Sequence, residues 1–117
     1  MLNVTAIDRV LSFLDQECTV IAVGSGVAPA YNSLDLTAET YRNLITSTTI
    51  SENTLIKEIY IDTASANGSI TEVGLLGNGA SLTPGSGDLL ASFATSLVKD
   101  SSQSLNIAFE IDVLEVV

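Results

Sequence analysis

The sequence has no His and no Trp, a single Cys at position 18, two Pro, and four basic residues against fourteen acidic ones. Each shortage excludes a class of function. Without His, the usual general base near neutral pH and the commonest transition-metal ligand are missing, and a Ser–His–Asp triad cannot be assembled. One Cys supports neither an intrachain disulfide nor a thiolate zinc site, which fits a chain folded in a reducing cytoplasm. The basic residues Arg9, Arg42, Lys57 and Lys99 are isolated, and a formal net charge of −10 repels phosphate backbones, so nucleic acid is not an expected partner. No apolar run approaches the ~20 residues that span a bilayer. MLNVTAIDRV also lacks a basic segment ahead of an apolar one. A soluble chain starting at Met1, with no membrane partner, is the expectation.

What is present is the material of one domain. A length of 117 residues suits one core, and 46% hydrophobic residues with only 15% charged ones argue against disorder. Ile7, Val10, Leu11 and Leu14 recur with a 3.6-residue period, which predicts a helix at about residues 4–16 buried along that stripe. Thr5 and Asp8 resemble a capping box, and Val4 a staple residue. From residue 18 to 117 the period changes to 2. Strands are predicted at 19–23, 41–51, 54–62, 70–76, 89–98 and 104–114, too closely spaced for crossover helices. The expected fold is mainly β, an antiparallel sandwich or sheet of about six strands with one N-terminal helix. Glu52-Asn53 is a hairpin turn, Asn67-Gly68 closes the loop after Asp62, and Gly77-Asn78-Gly79 opens a longer loop through Gly87. In the last strand Leu105, Ile107, Phe109, Ile111 and Val113 share a core face, opposite Asn106, Ala108, Glu110 and Asp112.

Residue patterns that carry chemistry are few. Gly24-Ser25-Gly26 follows a strand but lacks the rest of any phosphate-binding fingerprint, so a turn with positive φ is expected there. Ser96-Leu97-Val98-Lys99 matches S-x-x-K, but it ends a strand rather than opening a helix. Glu110 and Asp112 share a face that is expected to be wet, and no D-x-D-x-D-G loop offers a metal site, so neither metal nor cofactor is expected. Cys18, between Asp15, Glu17 and an apolar strand, is expected to be an unreactive thiol. Asn3-Val4-Thr5 and Asn67-Gly68-Ser69 match the N-glycosylation acceptor without any sign of secretion.

The order of segments says more. IAVGSG (21–26), TAETYR (37–42), ITSTTISENTLIKEIYIDTASANGSITEVGLLGNG (45–79) and LLASFATSLVKDSSQSLNIAFEIDV (89–113) together resemble the N-terminal domains of phage tail-fibre and tail-collar-fibre proteins. Those domains carry an I-A-V-G-[DS]-G element, an E-x-Y-R element and an I-x-E-[VI]-G-L-F element. Ile21–Gly26, Glu39–Arg42 and Ile70–Leu76 match them, with Leu76 in place of Phe. In E-V-G-L the glycine lets another group approach the strand closely.

The resemblance implies a virion structural protein, made in the host cytoplasm, without catalytic residues. In the fibres a long repetitive shaft follows this module, whereas the present sequence ends at Val117. The expectation is therefore a tail, collar or neck attachment subunit that forms a homo-oligomeric ring or trimer on other virion proteins. Capsid decoration is the alternative. Tyr41 and Arg42, an amphipathic anchor at a strand start, and the apolar Leu114, Val116 and Val117 are the assembly-interface candidates. The tail residues are expected to pack on another subunit or add to its sheet edge, or else to fold back on their own core. A carbohydrate-binding sandwich is the rival class. Most of the six aromatics are expected in the core, leaving Tyr31 beside Pro29 and Asn32 as its one platform.

Overall fold

The computed structural model describes residues 1–114 and is a two-layer antiparallel sandwich behind one helix. Helix α1 spans Val4–Glu17. Strands β1 (Val20–Gly24), β2 (Glu39–Leu44), β5 (Gly68–Gly77) and β6 (Asp88–Lys99) form one sheet in the order β2-β1-β5-β6. Strands β3 (Ser47–Ser51), β4 (Thr54–Ile61) and β7 (Leu105–Asp112) form the other in the order β3-β4-β7. The mainly β class and the N-terminal helix are as the sequence predicts.

The stretch 41–51 is not one strand. It is cut at Ile45-Thr46, where Ile45 N–H still bonds to Thr19 and Thr46 N–H already bonds to Glu58. The chain changes sheet within these two residues, so seven strands replace the six expected. No glycine or proline marks the crossing, and β3 is exposed at every position, so the pattern of residues does not reveal it. The Glu52-Asn53 hairpin forms as expected, with Glu52 at φ 55 between the paired Ser51 and Thr54.

The sheets meet through Ile21, Val23, Ile70, Val73 and Leu75 on one side and Ile59, Ile61, Ile107 and Phe109 on the other. Phe93 and Phe109 join across the layers with ring centroids 5.1 Å apart. Burying each such aliphatic side chain contributes roughly 1.5–3 kcal/mol. β7 alternates as predicted, its Ile107 and Phe109 buried and its Glu110 and Asp112 exposed.

Other expectations change. Helix α1 begins after Asn3, whose carbonyl accepts from Ala6 and Ile7, and no side chain caps it, so the Thr5/Asp8 box is not formed. Val4 is the first helical residue and is exposed rather than stapled. Of the predicted stripe only Leu11 is buried, because α1 meets the sandwich chiefly at β4 and does not lie along a sheet face. Val10 is 43% exposed. The helix is tied down by Leu14 against the core and by Lys57 of β4, which is buried and ion-paired to Asp15. Nor are the aromatics mostly core: Phe13, Tyr31 and Tyr60 are exposed and Phe93 is partly so.

Candidate docking surface

Strand β1 is buried at all five positions, so the sheet it centres has no wet face there. The inner side, Ile21 and Val23, meets the second sheet. The outer side, Val20 and Ala22, is roofed by the loop 25–38 through Leu36 and by the loop 78–87 through Ala80. A roofing loop brings backbone N–H and C=O groups that need partners. Two buried charged side chains supply them.

Glu72, in the middle of β5, is 0% exposed. Its carboxylate accepts from the amides of Gly26 (2.9 Å), Thr37 (2.8 Å) and Ala38 (2.8 Å) and from the Thr37 hydroxyl at 3.2 Å. Converging amides are how proteins cradle phosphate, and here the anion they cradle is the chain's own. The expectation of positive φ at Gly24-Ser25-Gly26 is overturned, since neither glycine adopts it. They are glycines because a Cβ on Gly24 would lie 2.5 Å from both the Ala38 carbonyl oxygen and Glu72 Oε2, and one on Gly26 would strike Thr37 Oγ1. Gly74 of the E-V-G-L element admits Leu89 and Leu36, whose nearest carbons would come within 2.6 and 2.9 Å of an added Cβ.

Arg42 on β2 fixes the second loop. It is 7% exposed and grips Glu39 in a two-pronged pair, with both nitrogen–oxygen distances at 2.8 Å. Its remaining arm donates to the carbonyls of Ser81 and Ser86 at 3.0 Å and to the Ser86 hydroxyl at 3.1 Å. Arg42 is thus committed within its own chain, and its neighbour Tyr41 is half-buried against the core. Three apart, Glu39 and Arg42 would face opposite sides of a regular strand. A bulge at Thr40, where Val23 pairs with Tyr41 and Gly24 with Glu39, brings acid and guanidinium together, and Arg42 locks loop 78–87.

The short elements singled out in the sequence therefore meet on one sheet face. The loops they anchor turn apolar side chains outward: Val27, Tyr31, Leu34 and Leu82 are all more than half exposed, Tyr31 completely. Beside Tyr31 lies a cavity of about 290 Å³ lined by Ala30, Ser33 and the start of β6 from Leu89 to Ser92. A second, more apolar groove of about 410 Å³ opens where Val4 and Ile7 of α1 face Val113 and Leu114 across Glu52 and Asn53. Leu114, an interface candidate, is 73% exposed at its lip. Val116 and Val117 lie outside the described residues.

Charge is distributed unevenly. Arg42, Lys57 and Lys99 are all buried, which leaves Arg9 as the one exposed basic side chain. Among the carboxylates Glu72 is fully buried, its negative charge held by amides. Glu110 and Asp112 do not gather with Lys57 or Lys99. Lys57 lies on the inner face of β4 and reaches Asp15, Lys99 bonds to Thr63 and Asn67, and Asp112 accepts from the Thr54 hydroxyl at 2.6 Å. Ser96 is exposed and Lys99 buried on the opposite face of β6, so the S-x-x-K pattern forms no nucleophile pair. Cys18 is buried, and that burial pushes its thiol upward. Among the described residues no group of three or more His, Cys, Asp or Glu side chains is placed to hold a metal, and no helix is long and apolar enough to cross a membrane.

Compared with known proteins, the chain matches no family model and no curated protein.

Sequence reasoning found the motif residues but missed Glu72 as their common partner. The available signal was an acid flanked by Ile70, Val73, Leu75 and Leu76, in a strand with no polar alternation to explain it.

Proposed function

We propose that this chain is a non-catalytic structural protein of a phage virion, a tail, collar or neck attachment subunit that self-associates and docks on a symmetric assembly. The observation that carries the reading is the use made of the three short elements that resemble tail-fibre N-terminal domains. Ile21–Gly26, Glu39–Arg42 and Ile70–Leu76 supply the glycines, the Arg42–Glu39 pair and the buried Glu72 that hold two long loops rigid on one sheet face. A preformed surface loses little ordering entropy on contact, which suits a part repeated many times in a particle. The exposed apolar residues of these loops give it affinity, on a chain whose net charge of −10 keeps free copies apart.

In this reading the groove between α1 and Leu114 receives a second copy, and the loop face meets another virion protein. Gold-labelled antibody against the chain, viewed on intact particles, tests the proposal. Label at the tail or neck supports it, label over the capsid shell favours the decoration alternative, and particles without label overturn both.

The cavity beside the fully exposed Tyr31 favours a second reading, a carbohydrate-binding module, because sugars stack on exposed aromatic rings next to polar groups. Glycan-array binding that disappears in Tyr31→Ala supports it, and an array with no signal for the parent protein sets it aside.

A further inference from the structure

Two turns carry the pair Asn-Gly, Asn67-Gly68 and Asn78-Gly79, and their electrostatic surroundings are opposite. Glycine places no Cβ in the path between its own backbone nitrogen and the preceding side-chain amide, so this pair is the one most open to ring closure. Asn67 is exposed, and the space a Cβ would take at Gly68 is empty to 4 Å.

The group that distinguishes the first turn is Lys99. Its side chain is 1% exposed, and its ammonium donates to Asn67 Oδ1 at 2.7 Å and to the Thr63 carbonyl at 3.2 Å. A buried cation thus rests on two neutral oxygens, one of them the side-chain carbonyl of an Asn-Gly pair. At the second turn the neighbour is an anion, since Asn78 Nδ2 donates to Asp88 Oδ2 at 2.7 Å.

We propose that Asn67 is a site of self-catalysed deamidation, promoted by Lys99. The backbone nitrogen of Gly68 attacks Asn67 Cγ and forms the new N–C bond. Negative charge develops on Oδ1, where the Lys99 ammonium stabilises it. The Cγ–Nδ2 bond then breaks, and the side-chain nitrogen leaves as ammonia with the proton that Gly68 gave up. Water opens the cyclic imide at Cγ to give aspartate, or at the backbone carbonyl to give isoaspartate. No oxidant or reductant is required. The aspartate product supplies Lys99 with the carboxylate it lacks, converting a buried cation on neutral acceptors into an ion pair. At Asn78 the Asp88 carboxylate opposes the same charge build-up and holds the leaving nitrogen.

Peptide mapping by mass spectrometry of the full chain, aged under native conditions, tests the proposal. Amide-to-acid conversion is expected about tenfold faster at Asn67 than at Asn78, with the two rates converging in denaturant, where Lys99 and Asp88 are no longer in place. Lys99→Met is expected to remove that advantage and leave Asn78 unchanged. Equal native rates at the two turns overturn the proposal, as does an unaltered Asn67 rate in Lys99→Met. Loss of ammonia with residues 67 and 99 cross-linked also overturns it, because the lysine amine would then be the attacking group. If Lys99→Met does not fold, the native-to-denatured ratio at the two sites of the parent protein decides the matter alone.

Discussion

The amide of Gly26 donates to Glu72 Oε2 at 2.9 Å across 46 residues of chain. The contact joins the end of the first strand's turn to the middle of the fifth strand, and no cation takes part. Thr37 and Ala38 close on the same carboxylate from the other end of the loop. One side chain therefore fixes both stems of the 25–38 loop, so stability of the fold and shape of its outer face depend on the same atoms.

Glu72→Ala leaves three amides without their acceptor and is expected to cost about 3 kcal/mol or more. Glu72→Gln, which keeps one acceptor oxygen but sets an NH2 against an N–H, is expected to cost about 1–3 kcal/mol. Urea unfolding gives the loss. Limited proteolysis is expected to cut first within 25–38 in either variant.

The glycines of the first turn are fixed by space and not by φ. Gly26→Ala pushes a methyl against Thr37 and Glu72 and is expected to destabilise by about 1–3 kcal/mol. Ser25→Ala, exposed between the two glycines, is expected to stay within about 0.5 kcal/mol. A large loss in Ser25→Ala with none in Gly26→Ala would contradict the packing account.

The Lys57–Asp15 pair ties α1 to β4. Asp15→Ala strands a buried ammonium with one main-chain acceptor and is expected to cost about 1–2 kcal/mol, moderated because Asp15 is 37% exposed. Lys57→Met removes charge and cost together and is expected to stay within about 1 kcal/mol. Thermal unfolding of both variants, with helix content from circular dichroism, checks the order.

Cys18 gives the fold an alkaline dependence. Desolvation by burial pushes its thiol above the ordinary value of 9.0, Lys57 opposes this, and Glu17 and Asp15 add to it. The unfolded thiol therefore ionises first. Stability is intact below about pH 9.0, falls as the pH rises beyond it, and levels off once the folded thiol also ionises. Denaturation midpoints against pH are expected to show this slope in the parent protein and a smaller one in Cys18→Ala, and thiol reagents are expected to label the native protein far more slowly than the unfolded one.

Leu114 tests the self-association face. Its side chain is 73% exposed, so Leu114→Glu is expected to leave the melting temperature unchanged while lowering the association constant by about tenfold or more. Sedimentation velocity across a concentration series reads the effect, and an unaltered constant would move the interface elsewhere.

Local pattern made the helix, the Glu52-Asn53 hairpin and the alternation of β7 readable, because each depends on residues close in sequence. The division of 41–51 was hidden because no glycine or proline marks Ile45-Thr46 and the change of partner there, from Thr19 to Glu58, is set by residues distant in sequence. The buried roles of Glu72, Arg42 and Lys99 were hidden for a related reason. Each is buried by loop or turn segments more than thirty residues away along the chain, and a charge in a strand ordinarily signals solvent. The uninterrupted apolar run Val20–Val23, with no polar alternation, was the hint in the sequence that both faces of this strand are covered.

The central place of β1 also sets an order on biosynthesis. Its hydrogen-bonding edges are filled by β2, ending at Leu44, and by β5, ending at Gly77. Val20–Gly24 carries no charge and no proline, the composition that favours pairing between unfolded chains. On the ribosome this segment waits through the whole of β3 and β4 before its second neighbour emerges. The acidic residues that keep finished copies apart are therefore also positioned to keep half-made chains from joining through their first strand.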